Sequence, residues 1–258
     1  MKTAVLYGAS LRWRLLELRR YAFDMLSGVV SIYGFFVVIF FGARIFGGDR
    51  PGFGETIEGV VVSYAVWSLT MLALGSLTYE IVQEAQQGTL EQLGMSPFGL
   101  SHVLVARVLT SLVVYFGIWV ALFVLMMATS GRWLNVDVVS VLPLIALTIL
   151  GVFGLGFLLG GLAIVFKRIQ QALQIWQVLV IGLVLVPPDE VVVVKYLPLA
   201  WGTHLLRRVM VDDASILDFS GGDLLFLVVN TAFYFFGGVY VFTRFERAAR
   251  ERGLLGHY

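Results

Sequence analysis

The most polar stretch of the chain lies between two long apolar runs, at residues 79–97, where glutamate, glutamine and glycine follow one another closely. Gly88 interrupts the preceding helix, and Thr89 with Gln92 three residues later forms a capping box, which predicts a second helix of barely one turn. Gly94 ends this short helix before a Ser-Pro pair starts the next one. The chemistry that such a segment offers is recognition of a soluble partner.

Residues able to do acid–base or metal chemistry are scattered along the chain. His102, His204 and His257 fall in three separate segments, and no spacing among them suits a metal site or a nucleophile–base pair. The chain has no cysteine, which excludes disulfides and thiolate metal sites. We therefore predict no catalytic residue and no metal ligand. One acidic loop is interpreted as a solvated segment, with a cation site as the alternative: Asp212, Asp213, Asp218 and Asp223.

Composition places these residues in a membrane protein. Of 258 residues, 59% are hydrophobic and 14% charged, and the mean hydropathy is +0.89. A soluble fold would have too few polar residues to cover its surface. Uncharged windows of about 20 residues predict an all-α integral membrane protein with six transmembrane helices. These are Leu26–Phe46, Ile57–Tyr79, Leu100–Ala128, Val138–Phe166, Ile169–Val186 and Leu224–Thr243.

Little of the chain is left for a soluble domain, so residues 1–258 are predicted to form one transmembrane domain. Residues 1–24 alternate charged and apolar groups and are predicted to form an amphipathic helix at the membrane interface, the alternative being a basic tail. One helical face carries Leu11, Leu15, Leu18 and Ala22, while Trp13 and Tyr21 suit the headgroup region.

The distribution of lysine and arginine predicts the orientation of the chain. With both termini in the cytoplasm, twelve of these residues lie inside and six outside. The polar connector at residues 80–97 is then cytoplasmic, and the segment at 187–222, between the last two spans, is external. The net charge of +1 gives no indication of nucleic-acid binding.

The connector carries the motif Glu84-Ala-Gln-Gln-Gly88-Thr89-Leu90-Glu91-Gln-Leu93-Gly-Met-Ser96-Pro97. This motif resembles the first cytoplasmic loop of the permease subunits of ABC exporters of the type-2 permease family, and the order of elements matches over nearly the whole chain. Leu197-Pro198-Leu199 and the run Trp201–Met210 are similar to that family's re-entrant and external helices.

The resemblance implies that Thr89–Leu93 is a coupling helix, flanked by Glu84 and Gly88, whose Leu90, Glu91 and Leu93 insert into a cleft of a cytoplasmic ATPase. It also implies two ATPase subunits that hold ATP and Mg²⁺, a second permease copy or a related permease, and an inner (plasma) membrane location among membrane lipids. The residues agree at one point, because the sequence has no phosphate-binding loop of its own. We therefore predict no cofactor bound by this chain.

Two polar stripes are candidates for a substrate path. Span two carries a mixed aromatic and hydroxyl face, and span five starts with glutamines at helical spacing. Each stripe suits either a translocation path or packing and hydrogen bonding between helices. The resemblance implies that spans two and five line the central cavity. The candidate residues are Ser63, Tyr64, Trp67 and Met71 in span two, and Gln174 and Gln177 in span five.

Two further features concern contacts between helices. Glu80 and Glu84 lie one helical turn apart at the cytoplasmic end of span two. We predict that at least one of them pairs with an arginine of the interfacial helix, from the set Arg12, Arg14, Arg19 and Arg20. In span four, the spacing of Gly156 and Gly160 predicts a close approach between helices.

The chain is therefore expected to be the permease subunit of an ATP-driven exporter for a hydrophobic or amphipathic substrate, such as a drug, a lipid or a lipid-linked glycan. Two alternatives remain. A membrane-embedded lipid-modifying enzyme would need acids, bases or metal ligands that converge near the interface. A passive channel or scaffold would need no ATPase partner.

Overall fold

A computed structural model of the chain describes residues 2–47, 57–86, 99–165, 174–175, 180 and 192–251. Within these residues the structure is helical, without strands. The helices are α1 (Lys2–Arg20), α2 (Ala22–Gly47), α3 (Ile57–Gln86), α4 (Gly99–Ser130), α5 (Val138–Val165), α6 (Val192–Lys195), α7 (Ala200–Met210) and α8 (Gly221–Glu251), with a 3-10 turn at Ile216–Asp218.

Five of these helices are long and apolar enough to cross a membrane, namely α2, α3, α4, α5 and α8. They coincide with five of the six predicted spans, and the chain is an all-helical, multi-pass membrane protein. The remaining predicted span, Ile169–Val186, lies outside the described residues apart from Gln174, Ile175 and Val180.

Two of the five helices form the centre of the bundle. Inside the chain, 78% of the apolar window of α3 and 61% of that of α5 are buried, against 11% for α2 and 17% for α8. α3 packs against α5, α4, α7 and α2, whereas α8 packs on α5. The core thus lies around α3 and α5, and the outer helices turn most of their apolar surface outward.

Glycine allows α5 and α8 to meet backbone to backbone. A Cβ atom at Gly154 would overlap the carbonyl oxygen of Tyr234, and one at Gly238 would overlap the carbonyl oxygen of Gly154. Gly161, seven residues further along α5, lies on the same face and approaches Phe242. This contact lies on a different face of α5 from Gly156 and Gly160. Both of these are buried too, and the close approach predicted from their spacing stays a prediction.

α1 and α2 are separated only by a turn at Tyr21. The N–H of Tyr21 donates to the carbonyl of Glu17 at 2.8 Å, and that of Met25 donates to the carbonyl of Tyr21 at 3.1 Å. α1 packs mainly on α4 and more lightly on α2. Its helix ends at Arg20, short of the predicted boundary at residue 24, and its place at the membrane interface stays a prediction.

α3 is longer than a bilayer is thick. Its 30 residues correspond to about 45 Å, against about 30 Å of hydrocarbon. Glu58, at its start, pairs with Arg132 at 3.0 Å, just after α4 ends. The uncharged run stops at Tyr79, yet the helix continues through Glu80 and Glu84. The excess length therefore lies at the end that leads into residues 87–98.

The predicted external segment contains two short helices and a turn. α7 buries one side against α5 and α3. Gly202 lets it approach closely, because a Cβ atom there would overlap the side chain of Thr148. Leu199, before the first residue of α7, has φ +79°, a region that leucine rarely adopts. The side of the membrane on which this segment lies stays a prediction.

Candidate functional site

The hydroxyl groups in the first half of α3, where side chains are described, are hydrogen-bonded inside the chain. Tyr64 Oη donates to the carbonyl of Ile32 on α2 at 2.6 Å. Ser63 Oγ donates to the carbonyl of Gly59 at 2.6 Å and accepts from Arg207 Nε of α7 at 2.8 Å. Ser63 and Tyr64 are 0% and 2% exposed. These two predicted path residues therefore connect α3 to α2 and α7 in the core.

An aromatic cluster continues this face towards the outside of the bundle. The ring centroids of Tyr64 and Trp67 are 5.0 Å apart, and those of Phe35 and Trp67 are 6.1 Å apart. Trp67 and Met71 are only half-buried. Among the described residues, Trp67 Nε1 has no hydrogen-bond acceptor although the atom itself is buried. Leaving such a donor unpaired costs about 1–3 kcal/mol, so an incoming acceptor would gain by pairing with it.

The glutamine stripe is described at one position. Gln174 is helical with an exposed side chain, and Gln177 lies outside the described residues. The structure thus brings together Ser63, Tyr64, Trp67 and Met71 along α3. The assignment of these residues, with the two glutamines, to a substrate path stays a prediction.

The bond from Arg207 to Ser63 was not anticipated from the sequence. It joins residues 144 positions apart in the chain, and no spacing rule connects positions so distant. The amphipathic pattern of α7 was the sequence signal that could have indicated packing of this helix on the bundle. Its apolar side is buried, and Arg207 is half-buried. Together with the contact between Gly202 and Thr148, this bond fixes α7 to both central helices.

Two aromatic rings contact Lys195 near the start of α8. The Lys195 ammonium lies 4.0 Å from the ring centroid of Trp201 and 4.9 Å from that of Phe226. Trp201 Nε1 donates to the carbonyl of Asp223 at 3.1 Å, and its ring stacks on His204 with centroids 4.9 Å apart. Cation–π attraction to the two rings thus joins α6, α7 and α8.

A polar seam joins α1 to α4. The side chain of Arg14 is 8% exposed and donates to Glu17 Oε2 at 2.6 Å and to Tyr115 Oη at 2.7 Å. The guanidinium of Arg107 lies 4.8 Å from the ring centroid of Trp13. α1 therefore packs through its polar side.

The predicted pairing of Glu80 or Glu84 with an arginine of α1 stays a prediction. The backbone of α3 includes Glu80 and Glu84, but their side chains lie outside the described residues. Of the four arginines proposed as partners, Arg14 is buried and bonded to Glu17 on its own helix. The other three are exposed, namely Arg12, Arg19 and Arg20.

Apart from Glu84, whose backbone belongs to α3, the predicted coupling residues lie outside the described part of the chain. α3 ends at Gln86 and α4 begins at Gly99, and between them stand Gly88, Thr89, Leu90, Glu91 and Leu93. The structure therefore describes the two helices that flank the segment but does not describe the segment.

Hydrogen bonds that cap the start of α5 lower the pKa of Asp137, which lies outside the spans. Asp137 accepts hydrogen bonds from the Ser140 hydroxyl and from the N–H of Val139. The bond from the Ser140 hydroxyl is the largest cause and lowers the pKa of Asp137. Burial opposes it, and the backbone N–H groups of Val139 and Ser140 lower the pKa further. Ser140 also accepts from the N–H of Ile216 at 2.9 Å, which ties the 3-10 turn to α5.

In the residues that the structure covers, no group of three or more histidine, aspartate or glutamate side chains could hold a metal ion. The candidate site that the structure describes is a set of contacts that join α3 to α2 and α7.

Comparison of the chain with known proteins finds no matching family model and no curated protein of significant similarity.

Proposed function

We propose that this chain is the permease subunit of an ATP-driven exporter, coupled through Thr89–Leu93 to a separate cytoplasmic ATPase. The observation that carries the proposal is the continuity of α3. The most buried span of the described bundle runs without a break through Glu80 and Glu84 to Gln86, directly into the segment with the resemblance to a coupling loop. A force applied to that segment would reach the centre of the protein through one rigid helix.

The contacts of α3 indicate which parts would follow such a force. α7 is bonded to α3 through Arg207 and Ser63, and α2 through the hydroxyl of Tyr64. Closure of two ATPase subunits beneath a permease dimer would press on Thr89–Leu93 and tilt α3. α7 and α2 would then move with α3, and access to the path would change.

The substrate proposed for this path is hydrophobic or amphipathic, such as a drug, a lipid or a lipid-linked glycan. The half-buried part of the α3 face offers Trp67 and Met71 with one indole N–H in need of an acceptor. This surface is apolar and aromatic, and it has a single polar point. It suits an apolar body that carries at least one oxygen acceptor.

Copurification with ATPase activity tests the proposal. Tagged full-length chain would be purified from its native membranes, and Mg²⁺-dependent ATP hydrolysis would be measured in the eluate. We expect hydrolysis with the wild type and its loss with Leu90→Asp, because a carboxylate cannot enter an apolar cleft without a large desolvation cost.

The matched control is Leu217→Asp, the same change at a leucine that is 89% exposed in the 3-10 turn, which should keep the activity. No hydrolysis with the wild type, or equal hydrolysis with all three chains, would refute the proposal. The first result would favour a passive channel or a lipid-modifying enzyme.

A further inference from the structure

One face of α1 combines exposed leucines with exposed arginines. Leu11, Leu15 and Leu16 are 37%, 52% and 59% exposed. Arg12 and Arg19 are exposed too, and because they are seven residues apart they lie on the same side of the helix. Arg20 extends this side and is also exposed. These six residues are called the α1 outer face below.

The α1 outer face has no acidic residue to balance its charge. Glu17 is the single acid of α1, and it is paired with Arg14 on the opposite side, which packs on α4. Ser10, on that inner side, is 8% exposed. The mixed polar side of α1 therefore faces α4, and three guanidinium groups lie among leucines on the exposed side.

A bilayer surface carrying negative charge fits both components of this face. Leucines enter the boundary between headgroups and acyl chains, while arginine stems lie along it and their guanidinium groups reach the phosphates. Because only the turn at Tyr21 separates α1 from the apolar span of α2, insertion of α2 would hold α1 near that depth. Trp13 and Tyr21 are 42% and 54% exposed, as expected of aromatic residues at a headgroup layer.

We propose that the α1 outer face is a docking surface for anionic phospholipid headgroups, which bind through Arg12, Arg19 and Arg20. Each arginine near an anionic surface contributes about fivefold to the preference for an anionic over a neutral lipid. The seam formed by Arg14 with Tyr115 and by Trp13 with Arg107 then connects this surface to α4.

The test uses the full chain in bilayers of phosphatidylcholine that contain a minor fraction of phosphatidylglycerol. Lipid chains brominated on one lipid or the other quench tryptophan fluorescence, and the difference between the wild type and Trp13→Phe isolates Trp13 from the other tryptophans. We expect stronger quenching by brominated phosphatidylglycerol at equal mole fraction. Arg12→Gln/Arg19→Gln should lower that preference by about 25-fold, and salt should weaken it.

The control removes the same charge elsewhere. Arg244→Gln/Arg247→Gln changes two exposed arginines of α8 and should leave the preference intact. Equal quenching by both lipids in the wild type, or an equal loss with the control, would refute the proposal. So would loss of the preference on adding soluble glycerol phosphate, which would indicate a site for free phosphate.

A further outcome concerns contacts within the protein. Unfolding in pure phosphatidylcholine should be unchanged by Arg12→Gln/Arg19→Gln if lipid is the partner. Destabilisation there would mean that these arginines pair inside the chain, for example with Glu80 or Glu84, and it would overturn the proposal.

Discussion

Individual polar residues in this bundle are used to connect helices. Tyr64 reaches a carbonyl on α2, and Ser63 accepts from Arg207 on α7. Thr231 of α8 donates to the carbonyl of Leu147 on α5 at 3.1 Å. In hydrocarbon such groups have no water to pair with, so each must find a protein partner. Trp67 Nε1 departs from this pattern, because this buried donor has no acceptor among the described residues. For that reason we propose it as a contact for an acceptor atom of the substrate.

The cap at the start of α5 predicts a dependence of stability on pH. Asp137 has a pKa below its ordinary value in the folded protein, so its charge stabilises the fold above the unfolded pKa of about 4. That contribution is lost as the pH falls through the folded pKa. Asp137→Asn keeps a good N-cap without the charge, and it should be less stable than the wild type at neutral pH and equal to it in acid.

The measurement is the midpoint of thermal unfolding in micelles for both chains, from about pH 7 downward through the aspartate range. Ser140→Ala provides the second arm, because it removes the largest cause of the lowered pKa of Asp137. Its curve should lose part of the same pH dependence, because the backbone N–H groups of Val139 and Ser140 still lower the pKa of Asp137. A constant difference between wild type and Asp137→Asn at every pH would contradict the prediction.

At the scale of elements, the contact between α5 and α8 depends on the absence of side chains. Gly154→Ala would place a methyl group against backbone atoms of Tyr234 and Phe235, which cannot rotate away. We expect a loss of at least about 3 kcal/mol in the free energy of unfolding, the upper part of the range for overpacking. Titration with denaturing detergent in mixed micelles measures it.

Gly117→Ala on α4 is the matched control, since nothing lies within 4 Å of a Cβ atom there. Alanine at an open helical position should be neutral or stabilise by up to about 1 kcal/mol. Equal effects of the two substitutions would show that α5 and α8 are not in backbone contact.

The elements could be predicted from the sequence to different extents. Five spans were predicted correctly, because an uncharged apolar run of bilayer length has few structural alternatives to a transmembrane helix. The contact at Gly154 was not found, because its position depends on how α8 rotates against α5, and no spacing within α5 encodes that rotation. The bond between Ser63 and Arg207 was missed because it depends on how α7 packs on α3, which no spacing within either helix encodes. Trp67 and Ser63 were predicted as path residues from a pattern that packing and binding share. In the structure Trp67 is half-buried and Ser63 is fully buried, and the assignment of both to a path stays a prediction.

At the scale of the whole molecule, the proposed path can be tested by labelling, because the chain has no native cysteine. Met71→Cys and Gln177→Cys should react with a membrane-impermeant thiol reagent, at rates that change when the ATPase partner binds nucleotide. Ala73 is 0% exposed and only two residues from Met71, so Ala73→Cys should stay unreactive, as should Gly156→Cys. Unchanging protection at both Met71 and Gln177 would mean that these side chains only pack helices.

The glycine surface of α5 also determines when the protein can finish assembling. α5 ends at Val165, but its partner α8 begins only at Gly221. During synthesis the glycines of α5 therefore enter the membrane long before the helix that covers them exists. For that interval they face lipid or a helix that is not their final neighbour. α8 then covers this glycine surface of α5 from the outside of the bundle, and a chain that stops before α8 keeps that surface open to other membrane helices.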